Sequence, residues 1–205
     1  MVHHGGMRWF SSDLHFGHAN VIAYCKRPFR SVGEMNTAIL AAWNALVEPS
    51  DDVWVLGDVA MGRIDESMPL AGRLAGRKQL VLGNHDRPFD GGRRAEEWTD
   101  KYLTDGGFVE LHHGIVDVRL TNGTSVSLCH FPYEGDSTDT DRLVSHRPVD
   151  EGRWLLHGHV HEKWRQRGRM INVGIDAWAG QPVPEEAIVE LIEAGPNDLD
   201  RLEWT

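Results

Sequence analysis

The feature that most constrains this chain is a short apolar run that ends in a cluster of polar residues. Residues 79–82 form the run, and they are followed by Gly83, Asn84, His85 and Asp86. An apolar run closed by glycine predicts a buried strand, so the polar residues should lie on the loop that leaves its carboxyl end. Open α/β sheets carry their functional groups at that edge. We therefore expect part of a functional site here.

The same pattern, a strand-like run followed by Asp or His, occurs at four other places in the sequence. Predicted strands at 7–11, 52–56, 126–129 and 154–156 are followed, in that order, by Asp13 and His15, by Gly57 and Asp58, by His130, and by His157, Gly158, His159 and His161. One such residue after a strand is a weak signal, because a lone histidine is usually structural. Five strand ends of this kind in one chain are difficult to obtain by chance.

The remaining patterns predict an α/β fold. Ser31 and Glu34 resemble a capping box, and the sequence predicts helical segments at about 18–25, 31–47, 65–75 and 184–194. The polar and charged segment 90–102 should form a loop and an exposed helix. Alternating segments on either side of Asn122 and Gly123 predict a β-hairpin, and later strands are expected at 153–156 and 169–173. This order favours two β-sheets packed face to face, with helices on their outer faces.

Composition limits the compartment and the partners. A formal charge of −10 argues against broad binding to a nucleic-acid backbone, so we expect no stable nucleic-acid complex. Neither a secretory segment nor an 18-residue apolar run is present, and the two cysteines, Cys25 and Cys129, make no disulfide framework. A protein of the reducing cytoplasm without a membrane partner is expected. Residues 1–6, which include His3 and His4, should form a flexible tail, and residues 7–205 a single domain.

The residues at the predicted strand ends have the chemistry of metal ligands. Oxygen and imidazole ligands without thiolate suit divalent ions such as Mn, Fe, Zn, Co or Ni. Seven ligands are too many for one tetrahedral ion, but they suffice for two ions that share a carboxylate. The candidate ligands are Asp13, His15, Asp58, Asn84, His130, His159 and His161.

In its motifs the chain resembles the calcineurin-like metallophosphoesterases. The motifs Asp13-x-His15, Gly57-Asp58, Gly83-Asn84-His85-Asp86, His130 and Gly158-His159-x-His161 match that family in order, and the strings 12–18 and 171–176 resemble its short bacterial and phage members. The resemblance implies a four-layer αββα sandwich of two mixed β-sheets flanked by helices. It also implies a binuclear centre, with Mn²⁺ foremost. One ion would be held by Asp13, His15 and His161, and the other by Asn84, His130 and His159. Asp58 would bridge the two ions.

The resemblance further implies a mechanism. A hydroxide that bridges the two ions would attack phosphorus, His85 would protonate the leaving oxygen, and Asp86 would orient and charge His85. A histidine beside a carboxylate is suited to general acid work near neutral pH.

For two other residues near the motifs, the sequence leaves two roles open. His18 would reach the substrate phosphate or cap the helix that it opens, and Asn172 would line the pocket or be an ordinary turn residue. His112, His113 and His157 are expected to be structural or solvated. The polar segment 132–141 should be a surface loop that rims the site.

The sequence around the motifs bears on the ester that is cut. Phosphoprotein phosphatases of the superfamily carry Gly-Asp-x-Val-Asp-Arg-Gly and Gly-Asn-His-Glu, whereas this chain has a different string at 57–63 and Asp86. The arginines that would grip a monoester dianion are absent from those positions. This favours a phosphodiesterase acting on small substrates, foremost 2′,3′- or 3′,5′-cyclic nucleotides, with aryl phosphodiesters as surrogates. A nuclease, a phosphomonoesterase and a non-enzymatic metal-binding scaffold are the alternatives, and the oligomeric state stays open.

Overall fold

A computed structural model of the protein describes residues 6–204. The strands are β1 (Arg8–Ser11), β2 (Asp52–Val55), β3 (Arg77–Val81), β4 (Phe108–His112), β5 (Val116–Arg119), β6 (Ser125–Leu128), β7 (Trp154–His157), β8 (Gln166–Gly168), β9 (Met170–Asn172), β10 (Val183–Pro184) and β11 (Asn197–Leu199). The helices are α1 (Ala19–Tyr24), α2 (Val32–Asn44), α3 (Ile64–Ala71), α4 (Ala95–Thr104) and α5 (Glu185–Ala194). Apart from Gly6, the expected tail with His3 and His4 lies outside the described residues.

The strands form two mixed sheets. The first has the order β10-β1-β2-β3-β4, in which β1 to β4 are parallel and β10 is antiparallel to β1. The second has the order β11-β8-β9-β7-β6-β5, in which β6, β7 and β9 are parallel and the outer strands are antiparallel to their neighbours. The predicted α/β sandwich of two mixed sheets flanked by helices is confirmed.

The first sheet is buried on both faces because its strands alternate between two apolar clusters. Phe10 and Trp54 pack toward the second sheet, in a cluster that includes Leu128 and Leu156. Their neighbours Trp9 and Val53 pack on the opposite face, among residues of the helices. On the far side of the second sheet, Leu155 and Met170 pack with Cys129 and Phe131, and part of the loop 132–147 covers them. Two cores therefore hold the first sheet, and a smaller one lies behind the second.

The start of α2 follows its predicted capping box. The Glu34 N–H donates to Ser31 Oγ at 3.2 Å, and the Glu34 carboxylate accepts from the Arg30 N–H at 2.8 Å. The helix then buries Met35, Ile39 and Trp43 against the first sheet. It ends a turn earlier than its periodicity predicts. The predicted helix at 65–75 also ends early, at Ala71.

Parallel strands bring the polar loops to one edge of the sandwich. The loop after β1 is bonded to the loop after β2, since the Asp13 N–H donates to Gly57 O and the His15 N–H to Asp58 O, both at 3.0 Å. The same loop reaches the second sheet, where the Ile175 N–H donates to Ser12 O at 3.1 Å. The two sheets are therefore joined where the motif residues lie. No helix within residues 6–204 is long and apolar enough to cross a membrane.

Candidate metal centre

Two glycines allow the loops after β2, β3 and β6 to meet. A Cβ on Gly57 would lie 2.6 Å from both Gly83 Cα and His130 Nδ1, and a Cβ on Gly83 would lie 2.4 Å from Asp58 Oδ1. Both distances are far inside van der Waals contact, so any side chain there would push the motif residues apart. The glycines of the Gly-Asp and Gly-Asn motifs are thus required by packing at the site.

Backbone strain is concentrated on the predicted ligands. Eight non-glycine residues within 6–204 have positive φ, and five of them are predicted ligands, at φ values between 51° and 71°. They are Asp13, His15, Asp58, His159 and His161. A left-handed conformation costs a non-glycine residue about 1–3 kcal/mol and persists only where the surroundings impose it. The loops therefore adopt an unfavourable backbone conformation at the residues whose side chains form the site.

One group of candidate ligands consists of Asp13, His15 and His161. Their ligand atoms all lie within 4.8 Å of one another, and the His15 and His161 rings stack with centroids 5.0 Å apart. Both ring nitrogens of His15 are buried and have no hydrogen-bond partner among the described residues. A buried ring with no partner is costly unless something else satisfies it. A metal cation would accept the lone pair of such a ring.

A second group consists of Asp58, Asn84 and His130. His130 Nδ1 lies 2.7 Å from the carbonyl oxygen of Leu56, which can only accept, so Nδ1 carries the proton. Nε2 therefore presents its lone pair, 3.2 Å from Asn84 Oδ1 and 3.6 Å from Asp58 Oδ2. A carbonyl that fixes the tautomer in this way is a common support for a metal-ligating histidine.

Asp58 lies between the two groups. Its Oδ2 is 3.6 Å from His15 Nε2 on one side and 3.6 Å from His130 Nε2 on the other. Its Oδ1 accepts the backbone N–H of His85 at 2.9 Å, which fixes the rotation of the carboxylate. One carboxylate oxygen is therefore equidistant from imidazoles of both groups, the position expected of a bridging ligand.

His159 is near these groups but faces a carboxylate that the sequence analysis did not single out. Its ring lies 5.2 Å from that of His130, and its N–H donates to Asp13 Oδ2 at 3.1 Å. Its Nε2 lies 3.3 Å from Oδ2 of Asp136, a buried residue in the predicted rim loop 132–141. Backbone N–H groups of Thr138 and Arg142 hold that carboxylate at 3.1 and 3.0 Å. The rim loop thus contributes an anion to the site.

Burial sets the protonation of most of the centre. Burial raises the pKa of Asp13 and of Asp58, and it lowers the pKa of His130 and holds that of His15 well below its ordinary value. Without a cation, the buried carboxylates and imidazoles are thus driven toward their neutral forms. A metal requires neutral imidazole and ionised carboxylate, so a cation would bind the imidazoles in the form that burial favours and would displace the proton that burial favours on the carboxyl groups. The buried Asp and His groups are therefore suited to bind a metal.

The ion pair of Arg27 and Asp176 supports the first group, and the sequence analysis assigned neither residue a role. Arg27 Nε and Nη2 donate to the two oxygens of Asp176, each at 2.8 Å, and Nη2 also donates to Asp13 O at 2.7 Å. Asp176 Oδ2 lies 3.2 Å from His161 Nδ1. Although burial lowers the pKa of His161, Asp13 and Asp176 raise it well above its ordinary value. Because the Asp176 carboxylate can only accept, His161 Nδ1 carries the proton between them, and a metal at Nε2 would replace the second proton that these carboxylates favour on the ring.

His85 is the most accessible residue of the motif set. Its side chain is 43 % exposed, and its Nε2 lies 4.0 Å from Asp58 Oδ2. Two clefts, each of about 320 Å³, open at this point. One is lined by His15, His18 and His161, the other by Asn84 and Arg87, and His85 lines both. His85 therefore stands at the mouth of the centre, where it can meet a ligand.

The expected contact between Asp86 and His85 is absent from the described residues. Asp86 is buried, and its two oxygens accept from the N–H groups of Gly83, Asp58 and Val59 at 2.8–3.1 Å and from the Tyr102 hydroxyl at 3.2 Å. These bonds use the lone pairs of the carboxylate, so none remains for His85. Asp86 ties the loops after β2 and β3 together instead of orienting the histidine beside it.

Asn172 does not line either cleft, which corrects its expected role in substrate binding. It is fully buried, its Nδ2 donates to His161 O at 2.7 Å and Trp164 O at 2.8 Å, and its Oδ1 accepts from the Gly174 N–H at 2.8 Å. A side-chain amide with these three bonds is committed to the loop that carries His161.

His18 lines the first cleft. It occupies the position before α1, but its side chain makes no capping hydrogen bond. Its ring lies 5.3 Å from that of His15, and its Nδ1 is buried without a partner among the described residues. His157 is buried, with Nδ1 2.7 Å from Gly158 O, and His112 Nε2 lies 3.2 Å from Gln79 Oε1. His157 and His112 therefore have the structural surroundings expected of them.

Comparison with known proteins identifies relatives over the whole fold. The chain is 36 % identical over 201 residues to the Gene 66 protein of Mycobacterium phage D29, a match that covers 94 % of this chain and 96 % of that protein. It is 34 % identical over 199 residues to the Gene 66 protein of Mycobacterium phage L5, covering 90 % and 93 %. It is 31 % identical over 202 residues to the uncharacterized protein MJ1445 of Methanocaldococcus jannaschii, covering 92 % and 95 %.

A solved structure extends this comparison to the fold. The protein of unknown function AQ665 from Aquifex aeolicus superposes with a TM-score of 0.68 at 26 % identity, over 90 % of this chain and 98 % of that one. The sequence matches no protein-family model. The names of these relatives state no activity, so the reaction must be argued from the site.

Asp176→Asn tests the supporting ion pair. The substitution removes the negative charge that pairs with the buried Arg27, and it replaces one of the two acceptor oxygens that Arg27 and His161 share by an N–H donor. Loss of such a partner costs about 10–100-fold in metal affinity, and breaking a buried ion pair costs about 3–5 kcal/mol of stability. We predict weaker metal binding by titration and a lower melting temperature. Asp117→Asn, which breaks the exposed pair with Arg153, is the matched control and should change neither. Unchanged metal affinity in Asp176→Asn would show that His161 needs no such support.

Proposed function

The chain belongs to the family of the Gene 66 proteins of mycobacteriophages D29 and L5, and we propose that it is a binuclear metal-dependent phosphoesterase that hydrolyses small phosphodiesters. The observation that carries this proposal is the position of Asp58, with one oxygen 3.6 Å from an imidazole nitrogen of each ligand group. The resemblance to the calcineurin-like metallophosphoesterases supports it, since the same residues occupy the motif positions of that family.

The proposed cofactors are two divalent transition-metal ions, with Mn²⁺ foremost. One ion would be held by Asp13, His15 and His161, and the other by Asn84, His130 and His159. Asp58 would be a ligand of both ions. When bound, the ions would supply Lewis-acid activation of water and offset the charge of the phosphate. Thiolate plays no part in the proposed set, which suits Mn²⁺ and its neighbours better than a structural zinc site.

The protein's own part in the reaction begins with positioning. The Leu56 carbonyl and the Asp176 carboxylate each accept from the outer nitrogen of a ligand imidazole, so His130 and His161 present their inner nitrogens at a set angle. Asp86 holds the loops that carry Asp58 and Asn84 at their required separation. Such fixed supports keep the reacting groups in place without reorganisation during the reaction.

His85 is the proposed general acid. In the proposed reaction the oxygen of a water molecule forms a bond to phosphorus and that water loses a proton to the solvent. The bond from phosphorus to the leaving ester oxygen breaks, His85 donates its proton to that oxygen, and His85 is then reprotonated from the solvent. A group in this role must be able to reach the substrate, and His85 is accessible while its backbone is fixed to Asp58. His18, on the wall of the same cleft, is the proposed contact for a non-leaving phosphate oxygen.

Asp58→Asn tests the shared ligand. A neutral amide cannot offset the charge between two cations, so we predict loss of bound metal and of turnover. Protein stripped with a chelator and reloaded with Mn²⁺ should be assayed on bis-nitrophenyl phosphate, with metal content measured on the same sample. Asp100→Asn removes an exposed carboxylate and is the matched control. Two ions per chain and near-normal turnover in Asp58→Asn would contradict the shared position.

His85→Ala tests the proton donor, because a donor matters only when the leaving group needs a proton. A ribose alkoxide is a poor leaving group, so loss of the donor should cost about 10²–10⁴-fold in the chemical step on a nucleotide diester. Nitrophenolate leaves without help, so the loss on bis-nitrophenyl phosphate should be much smaller. His113→Ala, at an exposed histidine, is the control.

Single-turnover rates should be compared at equal metal occupancy, since slow product release would mask the difference. An equal loss on both substrates would show that His85 positions the phosphate or supports the metals, and would make His18 the first candidate for the acid.

A further inference from the structure

The two clefts beside the metal centre share one wall. His85 and Met61 line both, and the remaining lining residues of the two clefts differ. A phosphodiester has two ester groups, and a phosphate held at His85 would be bordered by both clefts. This arrangement matches an acyclic diester, in which the phosphate joins two separate substituents and each substituent can enter its own cleft. A cyclic nucleotide, in which both ester oxygens belong to one ribose, would leave one cleft empty.

The two clefts differ in their chemistry. Val21 and Tyr24 give the first cleft an apolar side, and the Tyr24 side chain is free to meet a ligand because the residue is 68 % exposed. The second cleft has a cation, Arg87, together with Trp98. An apolar aromatic side suits a nucleobase or an aryl group, whereas a cation suits an anion.

Arg87 is held in place and keeps hydrogen-bond donors free. Its guanidinium lies over the Trp98 ring, 5.6 Å from the centroid. The neighbouring Arg94 also lies over Trp98, but it is paired with Glu97 at 2.6 Å, whereas no carboxylate within residues 6–204 is within 4.0 Å of the Arg87 guanidinium. Asp90 lines the same cleft without forming an ion pair with it. The Arg87 guanidinium therefore lines this cleft with N–H donors left for a ligand.

The N–H edge of a guanidinium matches the oxygens of a phosphate, which it can bind through two parallel hydrogen bonds. Arg142, the arginine of the first cleft, is unlike Arg87 because it is paired with Asp136 at 3.1 Å. In a chain with a formal charge of −10, a cation without a partner at the site mouth is suited to an anionic ligand. The metal centre already accounts for the phosphate that is cut, so Arg87 is available for a different one.

We propose that Arg87 is a specificity-determining residue that binds a second, terminal phosphate on one ester group of the substrate. The substrate class is then an acyclic phosphodiester with a nucleobase or aryl group in the first cleft and a terminal phosphate in the second. This assignment rests on the proposed phosphodiesterase function and narrows it.

Dinucleotides test the assignment. Adenylyl-adenosine is compared with its 5′-phosphorylated and 3′-phosphorylated forms on Mn²⁺-loaded protein, and the two phosphorylated forms distinguish which end faces Arg87. The wild type should have a KM about tenfold lower for one phosphorylated form than for the unphosphorylated one, in line with a partly exposed charged hydrogen bond. Arg87→Ala should remove that difference and leave metal content unchanged.

Arg93→Ala is the matched control, because Arg93 is an exposed arginine of the same segment that lines neither cleft. It makes the same change in net charge and should preserve the preference. Equal KM values for all three dinucleotides in the wild type would overturn the assignment, and so would an equal effect of Arg93→Ala. If metal-loaded wild type cleaves bis-nitrophenyl phosphate but shows no preference among the three dinucleotides, only the assignment of Arg87 fails. If it cleaves no diester at all, the proposed function fails and the assignment with it.

Discussion

A buried carboxylate between imidazoles is the constraint on which the rest of this site depends. Asp58 has 2 % of its side chain exposed and lies among ionisable groups that burial drives toward neutrality. Gathering such groups away from water opposes folding unless a cation or a proton compensates for it. The rest of the site follows from this burden: glycines at the points of closest approach, left-handed backbone at five candidate ligands, and hydrogen bonds that fix each loop. A site that destabilises the fold in this way is expected to bind a ligand, such as a cation, that stabilises it.

Two supports hold the loops, and each joins parts of the fold that are distant in sequence. Asp86, at the end of β3, accepts the N–H groups of Asp58 and Val59 from the loop after β2 and so ties neighbouring strands of the first sheet. Arg27, which follows α1, bonds to Asp13 O in the loop after β1 and to Asp176 beyond β9, and so ties the first sheet to the second. The centre therefore sits where the two sheets are joined, and its geometry depends on the packing of both.

The sequence predicts the parts of the site that depend on local patterns, namely the candidate ligands that follow a strand. Asp13, Asp58, Asn84 and His130 could be placed because each directly follows an apolar run, and parallel strands bring such positions to one edge. Contacts across long separations could not be predicted, which is why Arg27, Asp136 and the role of Asp86 emerged only from the structure. For Asn172 the sequence leaves a pocket role and a turn role open, because its place after a strand does not reveal that its amide is bonded to His161 O, Trp164 O and the Gly174 N–H. The sequence does not predict the short strands β4, β8, β10 and β11, since runs such as Gln166–Gly168 have no apolar pattern and form strands only through pairing with their neighbours.

The central claim is that two metal ions share Asp58, and diffraction from crystals grown with Mn²⁺ tests it most directly. Anomalous scattering measured on either side of the manganese absorption edge locates the ions without assumptions about the ligands. The account predicts two anomalous peaks about 3.5–4 Å apart, the spacing of two-metal hydrolytic sites, with the Asp58 carboxylate between them. A single peak, or two peaks of which one lies away from Asp58, would contradict it.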